Sequence, residues 1–313
     1  MQNMDNKLAV IDCGTNTFNL IIACKSGSSF NVLFEEKRAV KLGEGGIAAG
    51  FISNEAIARA IAVLVYSKER ANEYACTAIH AIGTAALRSA KNSSEVISQI
   101  EIATGIHIDL IDGAIEAEWI HKGVLLDQFY RDRHIMIMDI GGGSTEFIIS
   151  QSNTIEWKQS FALGAALLLD KFKPESKINN EQILELNQYL ESLLIPLFEN
   201  LNKYKPNILV GSAGSFETFA SMIEYSKGVT DSSDSAMRYR FDTGELNRLH
   251  EQLVNSTLEQ RLAMQGLWAP RADMIVLASV LFNYVRNNYF FNEYYMTHYS
   301  LREGILSMLF QLK

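Results

Sequence analysis

At 313 residues and 35.1 kDa the chain is larger than one hydrophobic core usually serves, so two domains are expected. An apolar fraction of 48% with 20% charged residues excludes a disordered chain. Lys plus Arg number 28 against 36 Asp plus Glu, and the net charge of −8 argues against a broad face for duplex nucleic acid or anionic membrane while leaving room for a small basic pocket.

The first residues run straight into a strand-like segment, with no basic region and apolar signal core ahead of it. No stretch reaches the about 18 apolar residues a membrane span needs; Met274 to Val285 is short and contains Asn283. Three cysteines (Cys13, Cys24, Cys76) and six histidines show no ligand spacing. These features lead to the expectation of a cytoplasmic protein without disulfides.

In chain order, residues 8–22 read as a buried strand, a tight turn and a returning strand: L-A-V-I-D-C-G-T-N-T-F-N-L-I-I. Phe51 to Tyr74 has helical spacing, with Ser53, Asn54 and Glu55 as cap and first turn. A strand over Ala75–Ile82, a helix opening at Ala85–Arg88, a strand over Gly105–Ile111 and a helix over Ala114–Leu126 follow. Residues 135–149, I-M-I-M-D-I-G-G-G-S-T-E-F-I-I, then repeat the opening pattern, with Asp139 lying 127 positions after Asp12. The spacing next predicts a helix over Asn180–Leu197 ended by Pro196, and a strand over Asn207–Gly211 entering a third small-residue turn, Gly211 to Ser215. Residues 226–236 read as a surface loop, and Ser256 with Glu259 as a capping box. Arg271-Ala272-Asp273 leads into an apolar helix, Tyr289–Tyr295 into an aromatic strand, and L-R-E-G (Leu301 to Gly304) into a closing helix. A duplicated strand–turn–strand, one per half, suggests two similar domains facing each other across a cleft.

Gly141-Gly142-Gly143-Ser144-Thr145 lets the backbone approach a ligand and can aim successive N–H groups at phosphate oxygens; Gly14-Thr15-Asn16-Thr17 offers the same with fewer glycines. Asp12, Asp139 and Glu146 beside these turns are hard oxygen donors suited to Mg²⁺ or another divalent cation. Each Asp alone could equally be a turn-former, but two copies at one spacing favour a two-sided phosphate clamp. Glu116 and Glu118 share a helix, where a carboxylate is either a general base or part of a solvated face. Arg88 is either a bidentate phosphate contact or a surface arginine. Lys37, Arg38 and Lys41 read as a solvated strand edge. The aromatic run 289–299 reads as core packing rather than a base-stacking platform.

The segments A-V-I-D-C-G-T-N-T-F-N-L, E-K-R-A-V-K-L-G-E-G, T-A-A-L-R-S-A-K-N, I-D-G-A-I-E-A, M-D-I-G-G-G-S-T-E-F, V-G-S-A-G-S, R-A-D-M-I and L-R-E-G together resemble the exopolyphosphatase / guanosine pentaphosphate phosphohydrolase family, in its short two-domain form. The resemblance spans essentially the whole chain. It implies an α/β fold of duplicated ribonuclease-H-like domains, of the actin-like ATPase superfamily, with the site in the interdomain cleft. The expected domains are 1–121 plus 299–313, and 122–298.

By the same resemblance, Glu116 is the candidate base for the attacking water, and Asp139 and Glu146 hold metal and orient water. Gly14 to Thr17, Arg88 and Gly141 to Thr145 cradle phosphates, and Arg271 and Arg302 match further family arginines, candidates for contact with the polyanion. The implied reaction is Mg²⁺-assisted hydrolysis of the terminal phosphoanhydride of inorganic polyphosphate or guanosine pentaphosphate. The alternative is a slow nucleotide or alarmone sensor of the same fold. A sugar or acetate kinase would need an adenosine-binding loop, and the matched motifs belong instead to the phosphatase branch. The aromatic C-terminal block could supply a homodimer surface.

Departures from the family pattern are Ile115 for the first Glu of E-E-A, Ser89 for Glu, and Asn19 where Arg is frequent. Ser212, Ala213 and Ser215 replace residues of the third loop, and His298 and Ser300 replace residues of the D-Y-G before L-R-E-G. The loss of a basic residue at 19 puts a processive grip on long polyphosphate in question.

Overall fold

The computed structural model describes residues 6–46, 49–174, 177–229 and 237–312. The chain divides into unit 1, Met1–Leu126 with Ser300–Lys313, and unit 2, Asp127–Tyr299. The first boundary falls five residues beyond the expected 121, because the helix there runs unbroken to Val124.

Unit 1 begins with β1 (Lys7–Cys13), β2 (Thr17–Ser26) and β3 (Ser29–Ala39), an antiparallel meander. Helix α1 (Asn54–Glu73) starts where Ser53 accepts the Ala56 amide at 3.2 Å. It buries Ala56, Ala60 and Leu64 against Ile11, Leu20 and Ile22 of the sheet. There follow β4 (Ala78–Gly83), parallel to β1, then α2 (Ala85–Ser89), α3 (Ser93–Thr104), β5 (Ile108–Leu110), parallel to β4, and α4 (Gly113–Val124). The strand order is β3-β2-β1-β4-β5.

Unit 2 repeats that plan with β6 (His134–Ile140), β7 (Thr145–Gln151) and β8 (Thr154–Phe161). Then come α5 (Ala165–Phe172), α6 (Asn180–Leu193), α7 (Ile195–Tyr204), β9 (Ile208–Ser212), α8 (Ala213–Ser226), β10 (Arg238–Phe241), α9 (Thr243–Val254), α10 (Leu258–Leu262), α11 (Ile275–Asn288) and β11 (Glu293–Thr297). The order β8-β7-β6-β9-β11 matches that of unit 1, and β10 adds one antiparallel strand at the edge. Each unit is thus a ribonuclease-H-like α/β layer. The duplication extends to detail: β2–β3 shifts register between Ile22 and Ala23, and β7–β8 does so between Ile149 and Ser150, 127 positions on.

The last helix, α12 (Leu301–Leu309), returns to unit 1 and lies on α4. A Cβ on Gly304 would sit 1.8 Å from the Trp119 carbonyl oxygen, and one on Gly123 would sit 2.0 Å from that of Ser300. The two helices therefore meet backbone to backbone, which only glycine permits. L-R-E-G is accordingly the first turn of this helix rather than the approach to it, with Ser300 and Glu303 as its capping box.

Other local expectations are corrected. Pro196 does not end a helix running to Leu197; α6 stops at Leu193 and Pro196 lies in the first turn of α7, where a missing N–H costs nothing. The capping box lies at Thr257 and Gln260 instead of Ser256 and Glu259, since the Ser256 hydroxyl turns back to the Leu253 carbonyl. The third small-residue turn is absent: β9 runs through Ser212 and α8 begins at Ala213. Gly211 lets the Phe216 ring fold over the strand, where a Cβ would lie 2.1 Å from the ring. The aromatic strand begins at Glu293, and Phe291, Tyr294 and Tyr295 are buried in unit 2, whereas Phe290 is exposed. Of the expected loop 226–236, residues 230–236 lie outside the described residues.

Candidate active site

In each unit the parallel strands end at one edge, where connections gather and ligands bind in open α/β sheets. In unit 1 that edge carries the turn after β1, α2 with Arg88 after β4, and the start of α4 with Glu116 after β5. In unit 2 it carries the turn after β6, the start of α8 after β9, and His298 after β11.

The two turns are built alike. Gly14 N–H donates to the Thr17 carbonyl at 3.1 Å, and Gly141 N–H to that of Ser144 at 3.0 Å. A Cβ on either glycine would crowd the same carbonyl, at 3.0 and 3.1 Å. The first amides of α5 donate to the Gly141 and Gly142 carbonyls, and Gly164 packs on Gly142 and Gly143. A trans peptide carries its N–H opposite its C=O, so the Gly142 and Gly143 amides point away from α5. In unit 1 the Thr15 and Asn16 carbonyls are held in the same way by the amides of Gly43, Val40 and Lys41, from the K-L-G segment. Thr15 Oγ1 and Asn16 Nδ2 are buried without a hydrogen-bond partner among the described residues, an uncommon state for polar atoms. The Thr145 hydroxyl is engaged inward by the Leu163 carbonyl at 2.9 Å, so this residue offers the turn its backbone only. Thr17 and Ser144 are buried at the same turns.

Glu116 is 6% exposed, and its Oε2 accepts Arg88 Nη1 at 2.7 Å. The same Nη1 donates to the Ile111 carbonyl at 3.0 Å. Asp112 pins the first turn of α4 by accepting the Ala114 and Ile115 amides, both at 2.8 Å. Glu118 forms an exposed pair with Lys122, as a solvated helix face would.

Cross-strand register places Asp139 opposite Glu146, with Ser212 beside Asp139 and Ser160 beside Glu146. Ser212 Oγ donates to Asp139 Oδ2 and Ser160 Oγ to Glu146 Oε1, each at 2.6 Å. Both carboxylates are buried. In unit 1 the corresponding row is Ile82, Asp12, Asn19 and Lys37. Asn19 Nδ2 donates to Asp12 Oδ2 at 2.9 Å. Burial pushes the Asp12 carboxyl up to about 6 against that hydrogen bond and the Arg302 charge, with Glu303 adding to the rise and Lys37 opposing it.

Arg302 is held between Glu303 at 3.2 Å and Glu35 at 3.5 Å. Arg271 is laid over the first turn of α8, donating to the Gly214 carbonyl and to Thr218 Oγ1. Burial lowers its guanidinium, opposed by the Glu217 and Asp139 charges. Arg38 lies 3.4 Å above the Tyr66 ring on edge strand β3 and pairs with Glu36, as a strand-edge residue does.

The model of the Ppx/GppA phosphatase family matches residues 20–312. The chain belongs to this family. A Haemophilus influenzae protein provisionally named an exopolyphosphatase is 29% identical over 303 residues, which span 97% of this chain and 91% of the relative. The crystal structure of an exopolyphosphatase from Cytophaga hutchinsonii is 38% identical, covers 98% of this chain and 99% of its own, and superposes with a TM-score of 0.94. A Ppx/GppA family member from Aquifex aeolicus shares the fold at 22% identity, with 98% of each chain covered and a TM-score of 0.78.

In this Ppx/GppA phosphatase the donor chemistry of unit 2 fits Mg²⁺, which takes one or two carboxylates and completes its shell with water and phosphate oxygens. Among the described residues no three His, Cys, Asp or Glu side chains group as a metal cage, so Asp139 and Glu146 form a two-acid set. Also among the described residues, no helix is long and apolar enough to cross a membrane. The sequence reading missed Ser160, the Asn19 contact to Asp12 and the Ile111 carbonyl on Arg88.

Proposed function

We propose that the protein hydrolyses the terminal phosphoanhydride bond of inorganic polyphosphate. The observation that carries this reading is the buried Glu116 carboxylate, fixed by Arg88 and a capped helix start at the ligand-binding edge of unit 1. The exopolyphosphatases among its relatives supply the substrate class. Glu116 takes a proton from water as the water oxygen bonds to the terminal phosphorus. The bridging P–O bond breaks, its electron pair stays on the shortened chain, and inorganic phosphate departs. Asp139 and Glu146 would hold Mg²⁺, which supplies charge neutralisation on phosphoryl oxygens. The turn amides at Gly142 and Gly143 in unit 2 are donors suited to non-bridging phosphate oxygens, and Thr15 and Asn16 are such donors in unit 1.

Guanosine pentaphosphate presents the same bond, and one assay compares the two. Phosphate release from polyphosphate, guanosine pentaphosphate and ATP is measured with Mg²⁺ and with chelator. Polyphosphate is expected to be cleaved fastest and only with the cation. Glu116→Gln is expected to lower kcat by about 10²–10⁴-fold with KM within roughly 3-fold of wild type. No phosphate release from polyphosphate, or unchanged turnover in Glu116→Gln, overturns the reading.

A further inference from the structure

Resting on the hydrolase reading above, we infer that Arg88 is the positioning residue of the general base. One guanidinium ties the Glu116 carboxylate to the phosphoryl group that is attacked. Arg88 comes from α2, after β4, whereas both of its acceptors come from the segment that joins β5 to α4. The residue therefore bridges two neighbouring strand ends at the edge where ligands bind.

Both hydrogen bonds use Nη1. The Nε and Nη2 donors make no hydrogen bond to any described residue, and the side chain is 25% exposed. A guanidinium is planar and rigid, and a pair of N–H groups along one edge matches two oxygens of a phosphate. With one side of the plane fixed by protein acceptors, the other is set for an anion. The spacing between base and phosphorus is then defined by a rigid group rather than by two separate loops. An ammonium, as a point charge on a flexible stem, cannot serve both partners at once.

The arrangement differs in its consequences from an arginine that only binds phosphate. An arginine of that kind acts independently of Glu116, and its loss raises KM. An arginine that positions the base lowers kcat, and only while the base is present. A double-mutant cycle on the full chain separates the two, using polyphosphate hydrolysis by wild type, Arg88→Lys, Glu116→Gln and the double variant.

Arg88→Lys is expected to reduce kcat by about 100-fold, with KM changed by less than roughly 3-fold. In the Glu116→Gln background the same change is expected to cost at least about 10-fold less in kcat than in wild type, the remainder being the contact with the phosphoryl group. Equal losses in both backgrounds, or a loss confined to KM, overturn the inference. Glu116→Asp gives an independent reading should Arg88→Lys fail to fold, because it keeps a base but withdraws it from Arg88. A kcat loss of at least about 30-fold at unchanged KM is expected, and turnover within about 3-fold of wild type overturns the inference. A wild-type protein inactive on polyphosphate retires both readings; an active wild type with an additive cycle retires the positioning role alone.

Discussion

The same four sheet positions carry different chemistry in the two units. In unit 2 the row is Ser212, Asp139, Glu146, Ser160: two acids side by side, each steadied from outside by a hydroxyl. In unit 1 it is Ile82, Asp12, Asn19, Lys37: one acid, an amide and a cation. Opposed like charges destabilise a sheet, so the row of unit 2 sets two acids side by side where that of unit 1 has one acid with an amide and a cation. One duplicated scaffold thus holds a row with two acids and a row with one acid and one cation, and the difference lies at three positions, 82/212, 19/146 and 37/160.

Converting one row into the other tests this contrast. Glu146→Asn gives unit 2 the composition of unit 1 at the second position. The apparent Mg²⁺ affinity in phosphate-release titrations is expected to drop by about 100-fold or more and kcat by about 10²–10³-fold; an unaltered Mg²⁺ profile breaks the contrast. Asp12→Asn probes the other row. Its carboxyl is raised on folding from 3.8 to about 6, so the unfolded chain loses the proton first and stability falls as pH rises through that window. The variant is expected to be more stable than wild type at pH 7.5 in chelator, by up to about 3 kcal/mol, with the gain vanishing towards pH 4. Denaturant melts at the two pH values check it, and a gain that persists at pH 4 contradicts the desolvation account. Ser212→Ala has the smallest effect: about a 10-fold weakening of Mg²⁺ dependence, since it removes the partner that orients Asp139.

Much of the fold was legible because the repeat was legible. Asp12 and Asp139, each followed two residues later by glycine between two β-branched runs, announce a strand–turn–strand twice over. The site was less readable, because its partners are set by register. Counting back from the tight turn at Ser152 and Asn153 pairs Glu146 with Gln159; the bulge near Ile149 shifts the pairing to Ser160. The bulge near Ile22 likewise brings Lys37, not Glu36, opposite Asn19. A bulge leaves no clear mark in composition, so neither neighbour was visible. The Arg88–Glu116 pair joins segments 28 positions apart through the parallel pairing of β4 and β5, which no local pattern encodes. L-R-E-G was seen as a motif, but the role of its glycine at a helix crossing needs the facing Trp119 carbonyl to be known.

The crossing of α4 and α12 also bears on how the protein is made. Unit 1 is interrupted in sequence by all of unit 2, and the helix that clasps α4 leaves the ribosome only after that unit has done so. At ordinary translation speeds roughly 10–30 s separate the emergence of residue 126 from that of α12. The inserted unit can finish folding during this interval, while the N-terminal sheet waits with one helical flank uncovered. The helix bearing Glu116 gains its permanent neighbour only once α12 has emerged, so a nascent chain carries that carboxylate on an unsecured support until then.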